Sequence, residues 1–144
     1  MSDSEERFSA ALHNTSRAWR QAVDRRLKYL GVSQASWMTI ATAAKARRPL
    51  SQSELADKLA VEAATMVAMI DRLVKAGLVK REASNADRRI KRVVLTPAGL
   101  KVYERVKSEA TALRKELLAN TDPRKLLIAT ELLESLQGII EEQP

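Results

Sequence analysis

The residues best suited to chemistry in this chain are basic side chains grouped around a short turn. Two runs of alternating apolar residues, 78–83 and 90–95, are joined by the polar segment 84–87, and this pattern predicts a β-hairpin. Six basic residues lie in or beside the turn: Lys80, Arg81, Arg88, Arg89, Lys91 and Arg92. Because so short a hairpin has no room to bury six cations, we expect it to present a positively charged surface to solvent.

The net charge of the chain, +7, is concentrated in its middle third. Residues 45–92 contain 12 Lys and Arg against 6 Asp and Glu, whereas the remaining residues contain 13 against 12. A solvated charged face is the simpler alternative, but such faces usually mix the two signs. The excess therefore favours a surface that binds a polyanion.

Two short helices are predicted directly before the hairpin. Ser51 and Glu54 form the pattern Ser-x-x-Glu of a capping box, which marks the first residue of a helix. The buried face of this helix is expected to contain Leu55, Ala56 and Leu59. After a turn at 60–61, a second helix runs over about 62–76 and stops at Gly77, because glycine adopts the left-handed conformation at little cost.

The second of these helices has an apolar and a polar face. The residues expected to point inward are Val67, Ile70, Leu73 and Val74. The residues expected to point outward are Glu62, Ala64, Thr65, Ala68, Asp71, Arg72 and Lys75. Two helices followed by a basic hairpin form a winged helix-turn-helix, in which the second helix reads the major groove of DNA and the hairpin is the wing.

Long amphipathic helices are predicted at both ends of the chain. One covers about 5–30 and ends at Gly31, a second begins at Pro97, and a third begins at Pro123. Their apolar residues recur in steps of three and four. Since the chain has only 5 aromatic residues, we expect these helices to bury their apolar stripes in a bundle shared between two subunits. A monomeric three-helix bundle is the alternative.

These patterns predict a mainly α-helical fold with a small β-hairpin wing. We expect residues 35–96 to form the winged helix-turn-helix, and residues 1–34 and 97–144 to form the helical dimerisation region, within one intertwined domain. The absence of Cys excludes disulfides and thiol-based redox sensing. With an acidic, polar first segment and no long apolar run, the chain is expected to be a soluble cytoplasmic protein.

The chain resembles the MarR family of winged helix transcriptional regulators. The segments that carry this resemblance are LADKL (55–59), IDRLVKAGLVKR (70–81), DRR (87–89) and VLTPAG (94–99). The segments RAWR (17–20), DRRL (24–27) and SQASW (33–37) further resemble its SlyA-like branch. The resemblance implies a homodimer with interlocked terminal helices, palindromic operator DNA, and often an aromatic or phenolic effector that alters DNA affinity.

The resemblance also implies roles for individual residues. Arg89 matches the wing arginine that enters the minor groove, Asp87 would orient it, and Arg88 would contact a phosphate. The DNA-binding residues expected in all are Gln52, Ser53, Thr65, Met66, Ala68, Arg72, Arg81, Arg88, Arg89 and Lys91. For Gln52 and Ser53, contact with backbone phosphates through the helix N-terminus and ordinary capping remain equally open.

The predicted recognition helix departs from the family pattern at Ala68. Family members often carry a long polar residue there. Because alanine cannot form hydrogen bonds to base edges, we expect few direct contacts that distinguish one base from another. Met66 and Ala68 can contact a thymine methyl group, whereas the carboxylate of Glu62 must avoid phosphates. Sequence specificity is then expected to depend more on Thr65, the wings and DNA shape than on hydrogen bonds from arginine to guanine.

An effector site is expected at Arg17, Trp37 and Thr39, which match the ligand-binding junction of the SlyA-like branch. Arg17 could pair with a carboxylate and Trp37 could stack on a ring, although a large aromatic residue at helical spacing is more often a core residue. The only histidine, His13, has no ligand-spaced partner, so no catalytic residue, metal site or cofactor is predicted. A helical module that binds protein instead of DNA is the alternative function.

Overall fold

The structure, a computed structural model, describes residues 2–144. In chain order its elements are α1 (Ser2–Leu27) with a 3-10 turn (Lys28–Leu30), α2 (Gln34–Lys45), β1 (Leu50–Ser51), α3 (Gln52–Leu59), α4 (Ala63–Lys75), β2 (Val79–Ala83), β3 (Lys91–Leu95), α5 (Pro97–Leu118) and α6 (Pro123–Glu141). The fold is mostly helical with a small antiparallel sheet, as predicted. The chain divides into two compact units, one ending at Thr111 and the other comprising Ala112–Pro144. The assignment of residues 35–96 to DNA binding, and of residues 1–34 and 97–144 to dimerisation, stays a prediction.

The sheet has three strands in the order β1-β3-β2. The predicted hairpin is confirmed, since β2 and β3 pair antiparallel from Val79 opposite Leu95 to Ala83 opposite Lys91. The third strand, β1, places Leu50 opposite Val93 and was not predicted from the sequence. A strand of two residues is too short to produce an alternating pattern.

The helix-turn-helix follows directly from β1. The hydroxyl of Ser51 accepts the N–H of Glu54 at 3.1 Å, and the carboxylate of Glu54 accepts the N–H of Ser51 at 3.1 Å, so the predicted capping box is present. The turn between α3 and α4 is made by Ala60, which adopts the left-handed conformation with φ 54°. Gly77 follows α4 with φ 77°, as predicted.

The core of the first unit lies between α2, α3, α4 and the sheet. Its buried residues are Ile40, Leu50, Leu55, Ala56, Met66, Met69, Ile70, Leu73, Val79 and Val93. The prediction that Val67 and Val74 point inward is wrong, because they are 40% and 38% exposed. The buried face of α4 runs instead through Met66, Met69, Ile70 and Leu73, at the spacing of one helix face.

The end of α1 is attached to α5 within the first unit. Val23 and Leu27 are buried, and the Arg26 guanidinium donates to the Glu109 carboxylate at 2.8 Å. The hydroxyl of Tyr29 donates to the same carboxylate at 3.1 Å. Gly31, with φ 71°, then turns the chain into α2, as predicted. These contacts fix the last turns of α1, which lead through Gly31 into α2.

The second unit contains the end of α5 and the whole of α6. The Asp122 carboxylate accepts the N–H of Arg124 at 2.9 Å, and Pro123 occupies the first helical turn. The predicted start of the third long helix at Pro123 is therefore confirmed. The large apolar side chains of α6 that remain exposed are Leu126, Leu127, Ile128, Leu132, Leu133, Ile139 and Ile140. The chain by itself therefore leaves this apolar stripe in contact with water. Among residues 2–144, no helix is long and apolar enough to cross a membrane.

Candidate nucleic-acid interface

The turn of the wing is ordered by its own backbone. The N–H of Ser84 donates to the carbonyl of Ile90 at 2.9 Å, and the N–H of Ile90 donates to the carbonyl of Asp87 at 3.0 Å. Ser84 is buried, and its hydroxyl accepts the N–H of Ala86 at 3.2 Å. The charged residues between these anchors are therefore held on a defined loop.

Asp87 and Arg89 form a close pair at the tip of this loop. The Asp87 carboxylate accepts the backbone N–H of Arg89 at 3.0 Å and the guanidinium Nε and Nη2 groups at 3.2 Å each. These hydrogen bonds, the side-chain one foremost, hold the pKa of Asp87 below its ordinary value. The Arg89 side chain nevertheless remains 91% exposed. The wing thus presents a cation whose direction is set by a neighbouring carboxylate.

Two further wing cations, Arg88 and Lys91, are exposed to solvent. Lys80 lies on β2 and forms an ion pair with Glu82 at 3.1 Å. Arg88 and Lys91 are therefore exposed cations of the wing, as sequence analysis predicted, while Lys80 is balanced by an acid on its own strand.

The outer face of α4 is exposed as predicted. It presents Glu62, Ala64, Thr65, Ala68, Asp71, Arg72 and Lys75, all of which are exposed. Alanine and threonine dominate the first half of this face, and the basic residues Arg72 and Lys75 lie toward its end. Such a face can approach a groove closely but offers few long polar side chains to base edges.

The expected DNA contact by Met66 is wrong. Met66 is only 2% exposed and packs in the core, because it lies on the same helix face as Met69 and Ile70. Sequence reasoning missed Val67, which takes the exposed apolar position next to it. The spacing of Met66, Met69, Ile70 and Leu73 fits one helix face, but that of Val67, Ile70 and Val74 fits another, so spacing alone did not separate the two.

Arg81 and Gln52, both expected to contact DNA, contact each other. The Arg81 Nε group donates to Gln52 Oε1 at 2.6 Å, and its Nη2 group donates to Asp71 Oδ1 at 2.6 Å. The Arg81 side chain is 27% exposed. In this arrangement its guanidinium is engaged within the protein, so the prediction that Arg81 contacts DNA receives no support.

The start of α3 is shaped by an ion pair. The Arg48 guanidinium donates to the Glu54 carboxylate at 2.5 and 3.1 Å. The hydrogen bond from Arg48, followed by the one from the Ser51 backbone, lowers the pKa of Glu54 to about 2. Ser53 is exposed at this helix terminus, whereas Gln52 is half-buried. Two of the first backbone amides of the helix region are already used by the capping box.

The three residues expected to bind an effector are not brought together within the chain. Arg17 lies in an open hollow along α1, beside Leu12 and Arg20. Trp37 donates its indole N–H to Asp24 at 3.3 Å, and Thr39 is buried with its hydroxyl donating to the carbonyl of Ala35 at 2.8 Å.

A separate cavity of about 220 Å³ opens beside Thr39. Its walls come from α1, α2, the end of α3 with the turn after it, and α4. The lining residues are Arg20, Gln34, Ala35, Met38, Thr39, Leu59, Val61, Thr65, Met66 and Met69. Sequence reasoning missed Arg20 as the basic residue of this cavity, although it lies three residues after Arg17 in the same motif. In the described part of the chain, no group of three or more His, Cys, Asp or Glu residues could hold a metal ion.

The chain is similar to known proteins both in sequence and in structure. The model of the MarR family matches residues 32–91, which extend from just before α2 into β3. The crystal structure of the transcriptional regulator PA3341 is similar to this chain at 35% identity, with a TM-score of 0.86, and the match covers 94% of this chain and 99% of that one. The chain belongs to the MarR family. Proteins of this family are transcriptional regulators.

Two other solved structures have the same fold along nearly the whole chain. BldR from Sulfolobus solfataricus is 25% identical with a TM-score of 0.79, and the match covers 98% of this chain and 97% of that one. CouR from Rhodococcus jostii RHA1, whose structure contains p-coumaroyl-CoA, is 20% identical with a TM-score of 0.80, covering 95% and 94%. These comparisons identify the MarR family as a whole, and they do not single out the SlyA-like branch.

Proposed function

We propose that this MarR protein is a homodimeric regulator that binds palindromic operator DNA. In this proposal α4 lies in the major groove and the wing, residues 84–92, lies in the adjacent minor groove. The observation that carries the proposal is the pair of Asp87 and Arg89, which combines an ordered turn with a highly exposed guanidinium.

The wing is suited to a minor groove because its cation is both exposed and oriented. A narrow minor groove has an enhanced negative potential that attracts arginine side chains. The carboxylate of Asp87 restricts the Arg89 guanidinium before DNA arrives, so less conformational freedom is lost on binding. Arg88 and Lys91, on either side, would then contact phosphates.

The outer face of α4 would make a close but weakly discriminating contact with the major groove. Ala68 and the exposed Val67 can touch thymine methyl groups, and Thr65 can donate or accept a hydrogen bond. Arg72, which is exposed later on the same face, would contact a phosphate. We therefore propose that sequence preference comes largely from the wings and from DNA shape.

The exposed apolar side chains at the two ends of the chain support dimerisation. On α1, Phe8 and Leu12 are 40% and 44% exposed, and the stripe along α6 is exposed as well. Apolar stripes of this length are normally covered in a stable protein. A second copy of the chain would cover them and present two winged regions to half-sites about 10 base pairs apart.

We propose that the cavity beside Thr39 takes an aromatic or phenolic acid as effector. The lining is mostly apolar, with three methionines that can adapt to a ring, and Arg20 could pair with a carboxylate. A relative with the same fold, CouR, has been solved with p-coumaroyl-CoA bound. A ligand there would touch Thr65 and Met66, which belong to α4, and so could change the affinity for DNA.

Selection of DNA from a randomised duplex library tests this function. The proposal predicts that the protein enriches sequences with two-fold symmetry and that their affinity falls steeply as salt concentration rises. The small side chains of α4 favour one alternative, a winged module that binds protein instead. That alternative predicts no enrichment and no salt-dependent binding to any duplex.

A further inference from the structure

Arg81 connects three elements of the proposed DNA-binding surface. It lies on β2, and its Nε group donates to Gln52 Oε1 at the start of α3 at 2.6 Å. Its Nη2 group donates to Asp71 Oδ1 on α4 at 2.6 Å and lies 3.4 Å from the carbonyl oxygen of Val67, also on α4. One guanidinium on β2, the strand that leads into the wing, therefore binds both α3 and α4.

The shape of the guanidinium group makes this connection directional. Its donors are held in a rigid plane, so two acceptors on different elements fix both the position and the tilt of the group. The Arg81 side chain is 27% exposed, which is far less than the 91% of Arg89. Arg81 is consequently suited to holding the wing against the recognition helix, while Arg89 is suited to reaching a partner.

The charge of Asp71 gives the contact a second consequence. Asp71 lies on the outer face of α4, and its side chain is 61% exposed. A carboxylate at this place would face the negatively charged groove of a bound duplex and would weaken association. The ion pair with Arg81 balances this charge where phosphates would approach.

We propose that Arg81 is a positioning residue for DNA binding, which holds α4 and the wing at a fixed separation and neutralises Asp71, without contacting DNA itself. This inference rests on the proposed DNA-binding function. It assigns to Arg81 a role different from those of the wing cations Arg88, Arg89 and Lys91.

Three full-length variants separate geometry from charge. Arg81→Lys keeps the charge but loses the rigid fork, so affinity for the duplex selected by the wild-type protein should fall on the order of tenfold, with an unchanged salt slope. Arg81→Ala should bind more weakly still, because Asp71 is left without its cation. Arg81→Ala combined with Asp71→Asn has the formal net charge of the wild type and should recover part of the affinity lost in Arg81→Ala.

Binding isotherms at several salt concentrations, with thermal unfolding of each variant, provide the test. A direct phosphate contact would behave differently: Arg81→Lys would bind as tightly as the wild type, and Arg81→Ala would reduce the salt slope by about one unit per lost contact. Either result overturns the proposal, as does a double variant that binds no better than Arg81→Ala. If Arg81→Ala does not fold, Arg81→Lys alone decides between the two roles.

The outcome is distinguishable from a failure of the proposed function. If the wild-type protein selects no duplex and shows no salt-dependent binding, the DNA-binding function itself is wrong. If the wild type binds and Arg89→Ala weakens binding while Arg81→Lys does not, the function stands and the positioning role of Arg81 is wrong.

Discussion

A Cβ atom on Gly99 would overlap the backbone carbonyl oxygen of Leu78. That carbonyl also accepts the N–H of Thr96 at 3.1 Å, so it is held in place by the start of α5. The close approach of two backbones explains why a glycine occupies the last position of the segment VLTPAG.

Gly99→Ala should therefore destabilise the protein. We expect a loss of about 1 to 3 kcal/mol in the free energy of unfolding, because the backbone has to shift to admit a methyl group. Gly138→Ala is the matched control, since a Cβ there meets nothing within 4 Å and a helical alanine is preferred by up to about 1 kcal/mol. Urea unfolding measures the free energy of unfolding of both variants. A Gly99→Ala protein as stable as the wild type would contradict the close contact between Gly99 and the Leu78 carbonyl.

The ion pair of Arg48 and Glu54 should make stability depend on pH. The pKa of Glu54 is lowered from 4.5 to about 2, so its stabilising effect is complete above the unfolded-state pKa and is lost as the pH falls toward 2. Glu54→Gln should lower stability by about 0.5 to 1 kcal/mol at neutral pH, since the pair is solvent-screened, and by little at pH near 2. Unfolding curves measured between about pH 2 and pH 7 check this dependence, with Glu134→Gln as the control. A loss of stability in Glu54→Gln that is the same at every pH would contradict the prediction.

The exposed stripe of α6 should be required for dimerisation. Leu133→Lys places a charge among apolar side chains that we expect to be buried against a second subunit, and it should shift the protein toward monomer in sedimentation. Glu134→Lys changes the neighbouring exposed position and should leave the assembly intact. A Leu133→Lys variant that remains dimeric would show that this stripe is not the interface.

The effector response should depend on Arg20 more than on Arg17. If an aromatic acid occupies the cavity beside Thr39, Arg20→Ala should remove the effect of salicylate-like acids on DNA affinity and leave affinity without ligand nearly unchanged. Arg17, which lies outside this cavity in the chain, is the comparison. DNA binding titrated with such acids provides the measurement. Loss of the response in Arg17→Ala alone would place the site at the hollow along α1.

Features that depend on neighbouring residues could be predicted from the sequence. Ser51 and Glu54 satisfy each other's backbone groups three residues apart, so their motif was sufficient to locate the start of α3. Gly77 and Gly31 likewise end their helices through a local conformation. The Asp87 and Arg89 pair needs only one turn of chain, and its contact was correctly expected.

Features that depend on distant residues could not be predicted. Arg81 was expected to contact DNA because a cation beside a turn is usually exposed, whereas its partners lie 29 and 10 residues away and meet it only in the folded chain. The face of α4 was misplaced by about one residue because Met66 and Val67 are both apolar and adjacent, so periodicity over one short helix did not decide which is buried.

The central claim is that the wing reads DNA through Arg89, and its most direct test is the affinity of Arg89→Ala for the duplex selected by the wild-type protein. Removing one desolvated guanidinium contact per subunit, at ~1 to 3 kcal/mol each, should reduce the affinity of the dimer by a factor between ~30 and ~20,000. Lys91→Ala, as a lost phosphate contact, should mainly flatten the salt dependence, and circular dichroism should show both variants folded. A folded Arg89→Ala dimer that binds this duplex as tightly as the wild type would contradict the claim.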